Sequence, residues 1–482
     1  MEKTKKKIEN TRAFSNISLK SFITVVLVLV GIIALSAVLT NLIPQGSFAR
    51  DAQGVILTDT YVQGEIAGIP LCRVLTAPLR VFTTEDGITI IMISLFLLIM
   101  SGIFNLLDKT GGIRIFISRI IHRLKGRKEA VIFASVLIFM LFGSFFGMFE
   151  ELVTLLPIMI LFMLSLELDT MLGLGTCLLA ACFGFSAAIT NPFSVGLASQ
   201  YMGVSPSDGL WLRLIFFALI FVTLYLFLRR YKRKLEKNPC ISLSYDVDAE
   251  KRSSLSVDIH SLSTEEEERS FRIYGAFFGI QICVLLAIAS IRAISGLAIP
   301  ILAASFLIFG IIAGLLVSKN VGDVFEHIFQ GASAMLPAVV MIALASSVKL
   351  IVVESGILDT IMHFALELLE GKSKFLVILL IYGLILFLQI FIGSASAKIV
   401  LVMPIVMPIA TALGISPALV ILTYCMADGF SDAIIPTNPV LLIGLSMANV
   451  SYGKWLKWTW KLQLFVFLLT IGILLFGVAI GY

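Results

Sequence analysis

Gly184-Phe-Ser-Ala-Ala-Ile-Thr-Asn-Pro192 recurs later in the chain as Gly429-Phe-Ser-Asp-Ala-Ile-Ile-Pro-Thr-Asn-Pro439, a near-copy with two inserted residues. Other anchors keep nearly the same offset of about 245 residues: Gly112 with Gly356, Gly126 with Gly371, Gly143-Ser144 with Gly393-Ser394, and Trp211-Leu-Arg213 with Trp455-Leu-Lys457. Ordered matches at one spacing mark a duplication, with halves over roughly 20–230 and 297–482. In each copy Thr-Asn-Pro falls inside an apolar run. Proline lacks a backbone N–H and clashes with the preceding turn, so a helix must open at 190–192 and again at 437–439. An opened helix frees carbonyls able to coordinate a cation and N–H groups able to hold an anion. Asparagine adds two donors and an acceptor. Two kinked helices without a ligand are the plainer alternative, weakened by the same Thr and Asn standing in both copies.

Composition states what kind of helix this is. Of 482 residues, 59% are apolar and 14% charged, with a mean hydropathy of +1.02. Soluble domains carry roughly 25% charged residues, so the chain reads as a membrane protein. Apolar runs such as 22–42 and 460–480 match the ~20 residues an α-helix needs to cross the hydrocarbon core, and the alternation of a β-barrel is lacking. Scattered cysteines (Cys72, Cys177, Cys182, Cys240, Cys283, Cys425) and histidines (His122, His260, His327, His363) show no metal-ligand spacing. Neither a resident metal nor another cofactor is expected, and nothing points to nucleic acid. Asp108-Lys-Thr-Gly111 matches the phosphorylated tetrapeptide of cation-pumping ATPases, but no GxxxxGK[ST] loop or large polar domain accompanies it. Lys3 to Lys7 precede an apolar run too long for a signal peptide and without an AxA-like site, which predicts an uncleaved first helix.

Lysine and arginine set orientation. The tail 1–21, with Lys3, Lys5, Lys6, Lys7, Arg12 and Lys20, is expected in the cytoplasm, and the loop 44–86 outside. Residues 109–128 hold seven basic side chains and no acid, in the pattern of an amphipathic helix at the inner interface. The cluster Arg229, Arg230, Lys232, Arg233, Lys234 should also lie inside, so 129–168 is either two full spans or a re-entrant hairpin with its tip at 143–147. Glu150 and Glu151 beside a Gly/Ser tip favour the hairpin, because intramembrane charge usually lines a cavity.

The fold expected is an all-α polytopic membrane protein of two inverted-topology repeats with re-entrant hairpins and discontinuous helices. The first membrane repeat (22–230) has a hairpin near 129–168 and a broken helix near 172–200. A cytoplasmic linker follows at 231–270, mobile over its Ser- and Glu-rich stretch 253–268. A connecting helix at 271–292 leads to the second repeat (297–482), with a hairpin near 375–413 and a broken helix near 417–450. That makes nine crossings and two hairpins, with the N-terminus in the cytoplasm and the C-terminus outside. Inversion is supported by Glu354, Asp359, Glu367 and Glu370, acids where the first copy is basic.

Inverted repeats with interrupted helices are the build of secondary transporters, with solute held where half-helix ends converge. Candidate solute-binding residues are therefore Ser186, Thr190, Asn191, Thr437 and Asn438, with Ser394, Ser396 and Lys398 of the second tip. Small residues at that tip could simply allow close packing. Lys398 argues for more, because an intramembrane ammonium needs a partner, and Asp428 and Asp432 are the acids of the second broken helix. Asp428, Asp432, Glu150 and Glu151 are candidates for binding a coupling Na⁺ or H⁺, Asp428 foremost since Ala187 stands opposite Asp432 in the first copy.

The GSxSxK tip at 393–398, Asp428-Gly-Phe430, the break Pro436 to Val440, Thr190-Asn-Pro-Phe193 and Tyr452-Gly-Lys-Trp-Leu456 together resemble the YfcC family. That family is related to DcuC-type dicarboxylate carriers and ArcD-type arginine/ornithine antiporters within the ion-transporter superfamily. The resemblance spans nearly the whole membrane part. It implies a scaffold domain and a mobile transport domain built from both hairpins and both broken helices, moving like an elevator, often in a homodimer. Ala395 and Ala397 stand where it leads one to expect glycines, and Asp432 where an uncharged residue is usual. The function expected is secondary active transport of a small polar metabolite, an amino acid (basic among the choices) or a carboxylate, across the cytoplasmic membrane. The alternatives are a membrane-embedded enzyme or receptor using the intramembrane carboxylates, or a channel. No span places a histidine beside a serine as a hydrolase would require.

Overall fold

A computed structural model describes residues 19–50, 60–84, 87–111, 127–256, 264–290 and 297–482. The fold is all-α, as expected of a multi-pass membrane protein. Among the described residues seven helices are long and apolar enough to cross a membrane, including Gly87–Leu107, Leu210–Lys237, Ile299–Ser318 and Tyr452–Ile480. Strand pairing among them amounts to a two-residue antiparallel ribbon, Gly46–Ser47 with Val62–Gln63. The amphipathic helix expected at 109–128 lies, over 112–126, outside the described residues.

Helical segments stop where the sequence supplies a reason. Lys128–Leu141 runs into a wide turn, Phe142–Phe146, and stops at Gly147, whose φ of 69° is the left-handed conformation that glycine adopts without strain. A turn at Glu151–Leu155 and the helix Leu156–Ser165 follow. In the second half Lys374–Leu388 ends at an unwound stretch, and Ala395–Ala412 restarts with Ser394 as its cap. Both Thr-Asn-Pro stretches are open. The chain is helical over Thr170–Ser186, loses helical geometry through 187–191, and resumes as Pro192–Gly196 and Leu197–Met202. Likewise Pro417–Asp432 gives way to Pro439–Ala448. Neither proline is a kink. Each occupies the first helical position, where a missing N–H is harmless and the fixed φ already suits a helix.

The two breaks are brought together because the helices entering them cross at small residues. Ser186 donates to the carbonyls of Cys425 (3.2 Å) and Met426 (3.3 Å), and Cys182 Sγ approaches the Gly429 carbonyl at 2.9 Å. A Cβ on Gly429 would fall on the backbone of Ser186, and one on Gly184 would fall on the backbone of Met140. The glycines that open the repeated Gly-Phe-Ser turns are therefore contact points between helices. Phe430 seals the crossing with edge-on rings, Phe183 at 5.1 Å and Phe216 at 5.8 Å.

Polar contacts sort to the two ends of the bundle. At one end Arg50 pairs with Asp359 at 2.8 Å, Arg80 pairs with Glu354, and Tyr61 stacks on His363. Tyr482, at the end of the last helix, meets Gly209 and Ala418. At the other end Arg229 pairs with Glu129 at 2.9 Å and Lys128 with Glu167 at 3.2 Å.

Part of the linker is helical and docked. Leu210–Lys237 runs past 230, and after a turn at Pro239–Ile241 the chain forms a docked helix, Tyr245–Ser256. Asp248 accepts from the Thr170 N–H at 3.2 Å and from the Thr170 hydroxyl, and Ser244 donates to it at 2.7 Å. Lys251 donates to Thr170 Oγ1 (3.3 Å) and to the carbonyl of Ala448 (2.8 Å). Its polar side chains thus serve the first turn of one broken helix and the last turn of the other. Of the stretch expected to be mobile, 253–256 and 264–268 are helical and 257–263 lies outside the described residues.

Candidate functional site

In the first half, Ser144 in the middle of the wide turn holds the break. Its carbonyl accepts from the N–H groups of Ile189 (3.0 Å), Thr190 (3.3 Å) and Asn191 (3.1 Å), and its hydroxyl donates to the Ala187 carbonyl at 2.6 Å. A buried arginine closes the other side: Arg213 donates to the carbonyls of Ile189 (2.7 Å), Pro206 (2.5 Å) and Asp208 (2.8 Å). Asn191 Oδ1 caps the restarting helix by accepting from Phe193 (2.9 Å) and Ser194 (3.3 Å). This is the usual role of asparagine at a helix start. Asn191 is fully buried, yet its Nδ2 has no hydrogen-bond partner among the described residues. Thr190 is exposed, its hydroxyl on the Phe145 carbonyl at 3.1 Å.

The second half repeats the cap and adds charge. Asn438 Oδ1 accepts from Val440 (2.9 Å) and Leu441 (3.4 Å), and its Nδ2 donates to Asp432 Oδ1 at 2.6 Å. Gln389, at the end of Lys374–Leu388, donates to the same oxygen, while Thr437 donates to the Gln389 carbonyl at 3.1 Å. Lys398 forms an ion pair with Asp428, both fully buried. Of the two acids that the sequence offered to Lys398, Asp428 is its partner. Asp428 Oδ2 and Gln389 Oε1 are buried without a hydrogen-bond donor among the described residues. The carbonyls freed at this break are met by aromatic donors: Trp455 Nε1 on Ala433 at 2.7 Å and Tyr452 OH on Ile434 at 2.5 Å.

The second tip joins the halves. Ser396 donates to the Phe193 carbonyl at 3.5 Å, Gly393 lies against Thr437, and Ser394 caps its own helix through Ala397. Thr190, Asn191, Thr437, Asn438, Ser394, Ser396, Lys398, Asp428 and Asp432 therefore belong to one neighbourhood. Glu150 is half-buried and within electrostatic reach of Asp432. Glu151 opens the turn Glu151–Leu155, and its side chain lies outside what is described. Ser186 is placed at the helix crossing rather than among the breaks. Ser144, Arg213, Gln389, Tyr452 and Trp455 complete the neighbourhood and were not candidates. The signals for them were a repeated Gly-Ser, a repeated Trp-Leu-basic triplet and a lone glutamine in an apolar run. Among the described residues no group of three His, Cys, Asp or Glu side chains could hold a metal ion. Chemically the arrangement offers two capped helix starts with positive dipole ends, an amide donor without a partner, and a carboxylate pair compensated by one ammonium.

Below this site, in the loop before Thr170–Leu174, Asp169 accepts from the Leu172 N–H (2.9 Å), Tyr231 OH (2.5 Å) and Ser242 Oγ (2.8 Å). Burial nevertheless outweighs these donors and, with Asp248 nearby, pushes its pKa up to about 6. An acid raised in this way keeps, between its ordinary value near ~4 and about 6, a proton that it loses once exposed. Docking of Tyr245–Ser256 should therefore weaken as pH rises through that window and level off above it, by ~3 kcal/mol at most. Amide protection in that helix, corrected for the intrinsic base-catalysed exchange rate, should be higher at pH ~5 than at pH ~7, and Asp169→Asn should remove the difference. Equal protection at the two pH values in the unaltered protein would refute the assignment.

With this geometry in hand, comparison with known proteins places the chain. The family profile described as DcuC, C4-dicarboxylate anaerobic carrier, matches residues 21–479. An uncharacterised protein of Haemophilus influenzae is 26% identical over 373 residues, covering 77% of this chain and 72% of that one. YfcC of Escherichia coli, whose name proposes basic amino acid antiport, is 25% identical over 385 residues, covering 77% and 74%. Among solved structures, the Alcanivorax borkumensis YdaH transporter aligns with a TM-score of 0.45 at 19% identity over 95% of this chain and 98% of its own. Neisseria gonorrhoeae MtrF, described within a class of antimetabolite efflux pumps, aligns with a TM-score of 0.42 at 16% identity over 94% of each chain. The resemblance to YfcC-type transporters is thus borne out, and a profile match over nearly the whole length means that this membrane transporter belongs to the DcuC family.

Proposed function

We propose that the protein is a secondary active transporter that carries a small polar metabolite through the paired breaks, by ion coupling or exchange, without ATP. The observation that carries this reading is the joining of two asparagine-capped helix starts, in corresponding places of the duplicated sequence, by Ser396 of the second tip. A ligand there meets the Asn191 amide and two positive helix ends, which suit a carboxylate, and the Asp428–Asp432 pair, which suits an ammonium or guanidinium. An amino acid, basic ones included, offers both; a C4-dicarboxylate, named in the family's description, uses the first set. The name of the Escherichia coli relative favours the basic amino acid.

The proposed topology places the N-terminus in the cytoplasm and the C-terminus outside, with 129–168 and 375–413 as re-entrant hairpins. It is supported by Arg50 and Arg80, of the loop expected outside, pairing with the acids of the segment also expected outside. The hairpins and broken helices would move together as an elevator against the remaining helices, in a homodimer. Liposomes holding the purified protein should exchange labelled arginine, lysine or a C4-dicarboxylate, with and without Na⁺ and pH gradients. A reporter after Tyr482 should report outside and one near Ser254 inside. Absence of exchange for every solute, or strict dependence on ATP, would sink the proposal, and reporters on one side would remove the inverted topology.

A further inference from the structure

Charges in the second half stand at the unfavourable ends of their own helices. Lys398 lies in the first turn of Ala395–Ala412, where the dipole repels a cation, and Asp428 and Asp432 lie in the last two turns of Pro417–Asp432, where it repels an anion. Each placement is costly alone, and together they face one another across the break. The C-terminal end of a half-helix, with its freed carbonyls, is where a transporter of interrupted helices holds a coupling cation. Here those carbonyls already have partners: Trp455 on Ala433 and Tyr452 on Ile434 in the second half, and Ser144 on Ala187 and Arg213 on Ile189 in the first. In both halves a buried basic side chain is present, Lys398 fully so and Arg213 at 2% exposure.

We propose that Lys398 is a tethered counter-cation: its ammonium occupies, against Asp428, the place of a monovalent coupling cation, so that the protein moves solute without Na⁺. Arg213 serves the first break in the same sense, with carbonyls as its partners. Lys398 balances one of two carboxylates, which leaves Asp432, held by Gln389 and Asn438, to be balanced by a cationic group on the solute. The inference rests on the transporter reading above, and it extends that reading to the source of charge compensation and to a solute bearing a positive group.

Removing the lysine side chain should open a cation site beside Asp428. The melting temperature of the full-length unaltered protein in detergent should be the same in sodium, lithium and choline chloride. Lys398→Ala should melt lower in choline and recover, in a concentration-dependent way, with Na⁺ or n-propylammonium, which restores the missing stem and charge. Recovery should vanish in the Lys398→Ala/Asp428→Asn double variant. Sodium-dependent stabilisation of the unaltered protein, or a monodisperse Lys398→Ala blind to both cations, would overturn the proposal. Should Lys398→Ala fail to fold, counterflow by the unaltered protein decides: exchange in choline-only buffers at the rate seen in sodium supports the tethered cation, and exchange that requires Na⁺ refutes it while leaving the transporter intact. No exchange of any solute under any ions would instead remove the transporter reading, with the melting data still standing for or against the cation site.

Discussion

Asp428→Asn should be among the most destabilising single changes in the protein, by ~3–5 kcal/mol, because it strands the ammonium of Lys398 in a fully buried position. A buried ion pair is weak evidence for stability in itself, since the desolvation of both members offsets much of their attraction; the loss arises from breaking it on one side. Replacing both partners, as Asp428→Asn with Lys398→Met, should therefore recover most of the loss. Thermal unfolding in detergent, followed by light scattering and size-exclusion profile, distinguishes the cases. If the single variant is as stable as the unaltered protein, the pair carries no buried charge and its assignment is wrong.

Alanine at Asn191 or Asn438 should leave the protein folded and remove most of its transport. As caps, these side chains each satisfy two N–H groups of a restarting helix, and losing a cap costs ~1 kcal/mol. Neighbours hold the rest of each break: Ser144 and Arg213 in the first, Gln389, Tyr452 and Trp455 in the second. Toward a charged solute the same change removes a donor worth ~1.5–3 kcal/mol and misaims the helix start, which is ~10–100-fold in binding. Uptake in liposomes, normalised to reconstituted protein, should fall by that factor in either variant. Undiminished uptake in both would reduce the duplicated breaks to structural joints.

What could be read from the sequence follows from how far each feature depends on distant residues. The breaks were legible because a proline in mid-span obeys a local rule, and the adjoining asparagine was legible because capping reaches only two or three residues ahead. The Lys398–Asp428 pair was half legible: burial demanded a partner, and two acids one turn apart were equally eligible on sequence. Arg213 and Trp455 were not found, because each meets a carbonyl more than twenty positions away and so depends on how two helices lie against one another. Gln389 was hidden for the same reason, its acceptor Asp432 lying 43 residues on. The docking of part of the linker was hidden in the same way, since Asp248 binds Thr170, 78 residues earlier.

The crossing of the two broken helices also bears on how the protein is made. Ser186 finds its acceptors 239 and 240 residues later, at Cys425 and Met426. At ~5–20 residues per second, a ribosome needs roughly 10–50 s to reach them after the first has been synthesised. Throughout that interval Ser186 and the surface meant for Gly429 lack their cover, while Ser144 and Arg213, made with the first half, can already hold the opened backbone. The crossing therefore closes late, against a second half that arrives on the same polypeptide rather than by diffusion.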